Sequence, residues 1–336
     1  MEIKLSIDTS GLESFNKIFN FSETISRERI DQLFDTPMYV QFVYDFGENI
    51  KELAQKDTWV DLFWEAYRLF ESGSVNVTAE DPYKRNIIAS VLWALEHREI
   101  LPERTERLIA NINGRRYLEK SLQYLPTSNS DINFKVNLLI FMNNAFVQNG
   151  QIYVDVAFAS QLTDDQFDDL LAHEMHHFLK DYSGCQYPRA KQGYEDLAFS
   201  LFALENEGIA DICSFEGLSF IYEWLGFTEK GFMKVVLGNV TKYLRDYFEM
   251  VKTKLDQKES PLQLHQYLME NQIVHPLGYS MASEIENTLG HGELLSCVGK
   301  PIEFARKYVE AVSKNTGEIL LDDDTFSGLE NIYQNN

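Results

Sequence analysis

The segment LTDDQFDDLLAHEMHHFLKDY, residues 162–182, predicts an amphipathic helix. Thr163 followed by Gln166 fits a capping box, and the acidic residues after Thr163 suit the positive end of a helix dipole. At 100° per residue the apolar side chains fall on one stripe. This stripe consists of Phe167, Leu170, Leu171, Met175 and Phe178. Such a helix packs its stripe against a core and thereby fixes the polar side chains beside it.

Two histidines and a carboxylate lie on or beside this stripe. His173 and His177 are four residues apart, so one cation can reach both rings. Glu174 falls inside the apolar arc, where a carboxylate is costly unless something compensates it. The three residues form the pattern H-E-x-x-H, which places two zinc-binding imidazoles beside a carboxylate that can act on water. The alternative is a histidine-rich surface turn, which would leave Glu174 unexplained. His176 falls on the opposite face and is expected to bind no metal.

A third ligand is expected from another element, because a catalytic zinc has three protein ligands and one open position. The best candidate segment is ENEGIAD, residues 205–211, in which Glu207 and Asp211 share a helix face. Asp211 suits the role of a carboxylate that accepts the second N–H of a metal-bound histidine. Gly208 costs about 1 kcal/mol in a helix interior, which indicates close packing, here expected against the first helix. Cys185 is the alternative third ligand.

The rest of the chain predicts three regions: a mainly helical one at 1–128, a zinc-binding core at 129–225, and a helical lobe at 226–336 that closes the cleft. Strand patterns fall at 2–8, 136–144, 145–148 and 151–159. Asn149-Gly150 separates the last two and predicts a hairpin. The predicted fold class is α+β, mostly helical, with a small antiparallel sheet whose edge strand lies beside the zinc helix.

Composition restricts the class of partner. The 336 residues carry 52 acidic and 30 basic side chains, for a net charge of −22. Such a surface repels phosphate groups, which argues against nucleic acid and anionic membranes as partners. The first residues lack the pattern of a secretory signal, and three widely spaced cysteines do not indicate a disulfide framework. We therefore expect a cytoplasmic protein, and the sequence does not indicate its oligomeric state.

H-E-x-x-H followed by N-E-x-x-x-D resembles the gluzincin metallopeptidases, the thermolysin-like clan. The resemblance implies a thermolysin-like catalytic core with Glu207 as third zinc ligand and Asp211 as the residue that orients a ligand histidine. The spacing of 30 residues from His177 to Glu207 is longer than the corresponding spacing in thermolysin. The clan also has an Asn-Ala-aromatic edge strand that pairs with substrate backbone, which implies this role for Asn144 and Ala145.

The whole chain is also similar to a family of uncharacterised zinc-dependent peptidases. That family has a helical N-terminal part and a late G-Y-x-x-A segment, here Gly278-Tyr279-Ser280-Met281-Ala282. In thermolysin-like sites a histidine or tyrosine from the downstream lobe donates a hydrogen bond to the developing oxyanion. Tyr279 is the first candidate for this role and His275 the second.

The function predicted from the sequence is a zinc-dependent metallopeptidase with one zinc ion per chain and a peptide or protein substrate. Glu174 is expected to act as general base towards a zinc-activated water. His173, His177 and Glu207 are the expected ligands. The alternatives are a non-peptide hydrolase with the same machinery and a zinc-containing binding or toxin-like module with weak or lost activity.

Overall fold

The computed structural model describes residues 3–20, 24–74, 77, 81–126, 131–183, 189–214, 223, 228–258 and 260–333. Up to residue 160 the elements are β1 (Ile3–Asp8), α1 (Ser10–Ile18), α2 (Arg27–Leu33), α3 (Pro37–Asn49), α4 (Lys56–Ser72), α5 (Pro82–Glu96), α6 (Leu101–Gly114), α7 (Arg116–Gln123), β2 (Ile132–Leu139), β3 (Ala145–Gln148), β4 (Gln151–Asp155) and α8 (Val156–Ala159), with a 3₁₀ turn at Lys51–Leu53. The elements after it are α9 (Asp164–Tyr182), α10 (Glu195–Ile212), α11 (Phe232–Gly238), α12 (Val240–Asp256), α13 (Leu264–Glu270), α14 (Val274–Leu289), α15 (His291–Ser296), α16 (Pro301–Thr316) and α17 (Asp323–Asn331).

These elements form two compact units. The first comprises residues 1–116 and 129–174, and the second comprises 117–128 and 175–336. The division falls within the single helix α9, after Glu174. The three regions expected from the sequence, with a cleft closed by the third, stay a prediction.

The first unit contains a four-stranded sheet in the order β1-β2-β4-β3. β3 and β4 pair antiparallel around Asn149-Gly150, whose φ angles of 49° and 71° both lie in the left-handed region that this hairpin turn requires. The predicted hairpin is therefore confirmed, and so is the α+β, mostly helical fold class. The sheet itself is mixed rather than antiparallel, because β1 and β4 both pair parallel with β2. A long helical connection, α1 to α7, joins β1 to β2, and β3 reverses the chain between β2 and β4.

Strand β4 is shorter than its sequence pattern suggested. The apolar run 151–159 was expected to be one strand, but the chain turns into helix α8 after Asp155. The Asp155 carboxylate caps that helix by accepting the backbone N–H of Phe158 at 2.7 Å, and it also accepts Phe141 N–H at 2.6 Å and Ser90 Oγ at 2.7 Å. A buried carboxylate with these donors stabilises the helix start more than the strand propensity of Val156 opposes it.

Aromatic side chains fill the core of the first unit between the sheet and its helices. The buried rings that contact one another are Phe15, Phe34, Tyr39, Phe42, Phe46, Trp59, Phe63, Phe141 and Tyr153. Burial of each ring removes about 150–250 Å² from water, so this cluster dominates the stability of the unit. The sheet is thus held on a rigid support from which the chain enters α9.

The entry into α9 is anchored by a guanidinium group. Nη2 of Arg107 donates to the carbonyl oxygens of Ala159, Ser160 and Leu162 at 3.3, 3.4 and 3.0 Å. These carbonyls lie at the end of α8 and in the turn that leads to α9. Hydrogen bonds to a charged donor contribute about 1.5–3 kcal/mol, so Arg107 fixes where α9 begins.

The second unit is helical in its described part, and its helices α10 and α14 meet at two glycines. A Cβ atom on Gly208 would lie 2.4 Å from the backbone carbonyl of Gly278, and one on Gly278 would lie 2.6 Å from Leu204 O. Backbones approach this closely only where neither residue has a side chain. No helix in the described part of the chain is long and apolar enough to cross a membrane.

Candidate metal centre

Helix α9 begins with the predicted capping box. Thr163 N–H donates to Oε1 of Gln166 at 2.9 Å, and Gln166 N–H donates to Oγ1 of Thr163 at 3.3 Å. Arg116 forms an ion pair with Asp165 at 2.8 Å and with the buried Asp168 at 3.2 Å. The capping box and the pair with the buried Asp168 therefore fix the first turns of α9, and His173 follows two turns later on the same helix.

The histidines of α9 are largely buried. His173 and Glu174 are each 7% exposed, and the side chain of His177 is 15% exposed. His176 is completely buried on its own face of the helix, where its Nε2 lies 3.3 Å from the carbonyl oxygen of Tyr124. This contact gives His176 a packing role within the second unit.

Helix α10 brings Glu207 to the histidines. Its Oε2 lies 3.3 Å from Nε2 of His177. Two ligands bound about 2.0–2.1 Å from one tetrahedral zinc ion lie about 3.3–3.4 Å apart. The separation of these two atoms therefore matches that of neighbouring ligands on such an ion, without any movement of either side chain.

His275, at the start of α14, joins the same group. Its Nδ1 lies 2.9 Å from Oδ2 of Asp211 and 3.9 Å from Oε2 of Glu207. Oε2 of Glu207 thus lies near a ring nitrogen of His177 as well as one of His275. Two imidazoles and a carboxylate form one of the donor sets of catalytic zinc. The residues present therefore fit a zinc ion, and His275 belongs to the candidate site.

One contact of α10 differs from the sequence interpretation. Gly208, expected to let α10 approach α9, lies against Gly278 of α14 instead. This approach brings His275 over the face that carries Glu207 and Asp211, and Nδ1 of His275 lies 2.9 Å from Oδ2 of Asp211. The role of Asp211 in orienting a ligand histidine stays a prediction.

The other predicted site residues lie on α14 and at the edge of the sheet. Tyr279 lies one turn after His275 on the same face of α14 and is half-buried. Ala145 begins β3 and pairs with Val154, and Asn144 accepts the backbone N–H of Asp155 at 3.1 Å. β3 is an edge strand of the sheet, and its pairing with substrate stays a prediction. Cys185, the alternative ligand, lies outside the described residues.

The approach of α10 to α14 gives a direct test of what assembles the site. Gly208→Ala places a methyl group 2.4 Å from the backbone of Gly278, so one helix must move. We expect a loss of at least about 2 kcal/mol in the free energy of unfolding, measured by urea denaturation, and a weaker affinity for zinc. Gly238→Ala is the matched control, because a methyl group there meets no atom within 4 Å and should leave stability unchanged or slightly higher. Equal stability of the two variants would contradict the prediction.

The chain matches one known protein family. A family model described as "Putative zinc dependent peptidase (DUF5700)" matches residues 30–317. The chain belongs to this family. The predicted resemblance to a family of zinc-dependent peptidases is therefore confirmed, and the match includes all of the candidate ligands. No curated protein and no solved structure matches the chain. Membership of the gluzincin clan stays a prediction.

Proposed function

We propose that the protein is a zinc-dependent metallopeptidase of the gluzincin type, with His173, His177 and Glu207 as the ligands of one zinc ion. The observation that carries the proposal is the 3.3 Å separation between Nε2 of His177 and Oε2 of Glu207, on two different helices. His173 lies one turn before His177 on the same face of α9. Membership of the zinc-dependent peptidase family supports the same metal and the same class of substrate.

Zinc at this position would supply a Lewis acid that polarises a peptide carbonyl and lowers the pKa of water. Glu174 lies three residues before His177, so its carboxylate belongs to the side of α9 that carries this ligand. There it accepts a proton from water and delivers it to the amine that leaves. A buried, preorganised carboxylate suits this transfer, which requires contact between the base and the reacting atoms.

His275 is the better-supported donor to the carbonyl oxygen of a substrate. Its Nδ1 lies 2.9 Å from Oδ2 of Asp211, a carboxylate that is 3% exposed, and this contact fixes the ring beside Glu207. Tyr279, the first candidate from the sequence, stays the alternative one turn further along α14. Either donor would stabilise the negative charge that develops on the oxygen.

A second candidate function follows from the position of His275. If His275 binds the metal together with His173, His177 and Glu207, the zinc has four protein ligands and no open position. Closed sites of this kind are structural. The protein would then be a zinc-containing binding or toxin-like module with weak or lost hydrolase activity.

The test is metal analysis of the purified wild-type chain together with assays on a peptide library. We expect about one zinc ion per chain, cleavage of peptides, loss of cleavage after removal of zinc by 1,10-phenanthroline, and recovery when zinc is restored. Zinc without turnover would favour the structural module. A chain that takes up no zinc and cleaves nothing would refute both functions. A cytoplasmic location and the absence of nucleic-acid and membrane partners stay predictions.

A further inference from the structure

A lysine and a glutamate are buried together beside the candidate metal centre. Nζ of Lys180 lies 2.5 Å from Oε2 of Glu205, and their side chains are 1% and 0% exposed. Lys180 follows His177 by one helical turn on α9, and Glu205 lies two residues before Glu207 on α10. Removal of two charges from water costs several kcal/mol per ion before their attraction offsets it. A buried ion pair so near the candidate metal centre therefore indicates a role other than stabilising the fold.

The ion pair is connected to Glu207 through Asn206. Nζ of Lys180 also donates to Oδ1 of Asn206 at 2.9 Å, and Nδ2 of Asn206 donates to Oε1 of Glu207 at 3.0 Å. Oε2 of the same carboxylate is the oxygen that lies near His177 and His275. Lys180 and Asn206 thus hold the far side of the carboxylate while its near side faces the histidines.

The charge of Lys180 determines which way the amide of Asn206 points. An ammonium group has three donors and no acceptor, so it must face the amide oxygen. The amide NH₂ group then faces Glu207, where it donates to the carboxylate. Without the ammonium group the amide can rotate by 180°, and its oxygen would then face and repel the carboxylate.

Two more contacts keep the lysine in place. The backbone N–H of Gly299, before α16, donates to Oε1 of Glu205 at 2.9 Å. Nζ of Lys180 also lies 4.9 Å from the centre of the Phe202 ring, at a distance typical of a cation–π contact. The ammonium group therefore has a carboxylate, an amide oxygen and a ring face as neighbours, and the carboxylate is itself held by Gly299.

We propose that Lys180 is a positioning residue, which orients Asn206 so that Asn206 holds the Glu207 carboxylate in its metal-binding position. The inference rests on the proposed function in one respect, since Glu207 must be a ligand. Residues that hydrogen-bond to ligands typically contribute 10–100-fold to metal affinity. Lys180 and Asn206 should each contribute in this range although neither contacts the metal.

The experiment measures the dissociation constant for Zn²⁺ by competition with a chelator, in the full chain. Asn206→Leu removes the amide and leaves the ion pair, and its dissociation constant should rise about 10–100-fold. Lys180→Met should show a rise of the same size. Lys254→Met is the matched control, because Lys254 is also buried and its Nζ donates to Ser260 O at 2.7 Å, away from the site. It should bind zinc as the wild type does.

A double variant separates positioning from stability. Lys180→Met with Glu205→Leu removes both buried charges, so its unfolding midpoint should recover towards that of the wild type. Its zinc affinity should stay as low as that of Lys180→Met. Recovery of both the unfolding midpoint and the zinc affinity would show a purely structural role and overturn the inference. Wild-type zinc affinity in Asn206→Leu would also overturn it. This second variant keeps the inference testable if Lys180→Met does not fold. A wild-type chain that binds no zinc would refute the proposed function and this inference together.

Discussion

Glu174→Gln is expected to bind zinc as the wild type does and to cleave peptides about 10²–10⁴ times more slowly. The amide has the shape of the carboxylate and leaves His173 and His177 in place, so the metal ligands survive. An amide does not accept a proton at neutral pH, and the transfer from water to the leaving amine is lost. The measurement is kcat on a peptide substrate, with zinc content determined on the same sample.

Asp165→Asn is the control for this variant, since it makes the same chemical change on the same helix. The side chain of Asp165 is 80% exposed and pairs with Arg116 at the surface, where an ion pair contributes little to stability. Its kcat should equal that of the wild type. Loss of zinc from Glu174→Gln, or unchanged turnover, would show that Glu174 is not the base.

The local parts of the site could be predicted from the sequence. The capping box of Thr163 and Gln166, the helical spacing of His173 and His177, and the Asn149-Gly150 turn each depend on residues within a few positions of one another. Short-range hydrogen bonds and side-chain periodicity determine such features, so they can be predicted from the amino-acid sequence alone. The α+β class follows from the same patterns.

Pairings over long distances could not be predicted in the same way. β1 pairs in parallel with β2 across more than a hundred residues, and the hydrophobic pattern of each strand is compatible with either direction. Gly208 carried a usable signal, because a glycine inside a helix needs a packing reason. A glycine in a helix does not show which residue packs against it, and only the tertiary fold brings Gly278 against Gly208.

The position of Lys180 in the sequence could have predicted a buried ion pair. It lies seven residues after His173, which on a helix of 3.6 residues per turn is almost the same face. A lysine on a buried face requires a buried acid, and Glu205 is one of the acidic residues of the next helix, α10. Its identity as the partner still depends on how α9 and α10 pack, which no periodicity determines.

Glu207→Ala is expected to lose zinc, with a rise in the dissociation constant larger than the 10–100-fold typical of residues that only hydrogen-bond to ligands. The substitution removes a carboxylate that lies near both His177 and His275, so these histidines lose a common neighbour. Glu195→Ala, in the first turn of the same helix, is the matched control and should keep full zinc content. Zinc retained by Glu207→Ala would exclude it as a ligand.

His275→Ala gives the opposite expectation and decides between the two candidate functions. If His275 donates to the substrate, the variant keeps its zinc and kcat falls about 10²–10³-fold. Tyr279→Phe then keeps near wild-type turnover, and a fall in that variant alone would transfer the donor role to Tyr279. If His275→Ala loses zinc as Glu207→Ala does, then His275 is a ligand. The metal would then have four protein ligands, and the structural module would be the function that the site supports.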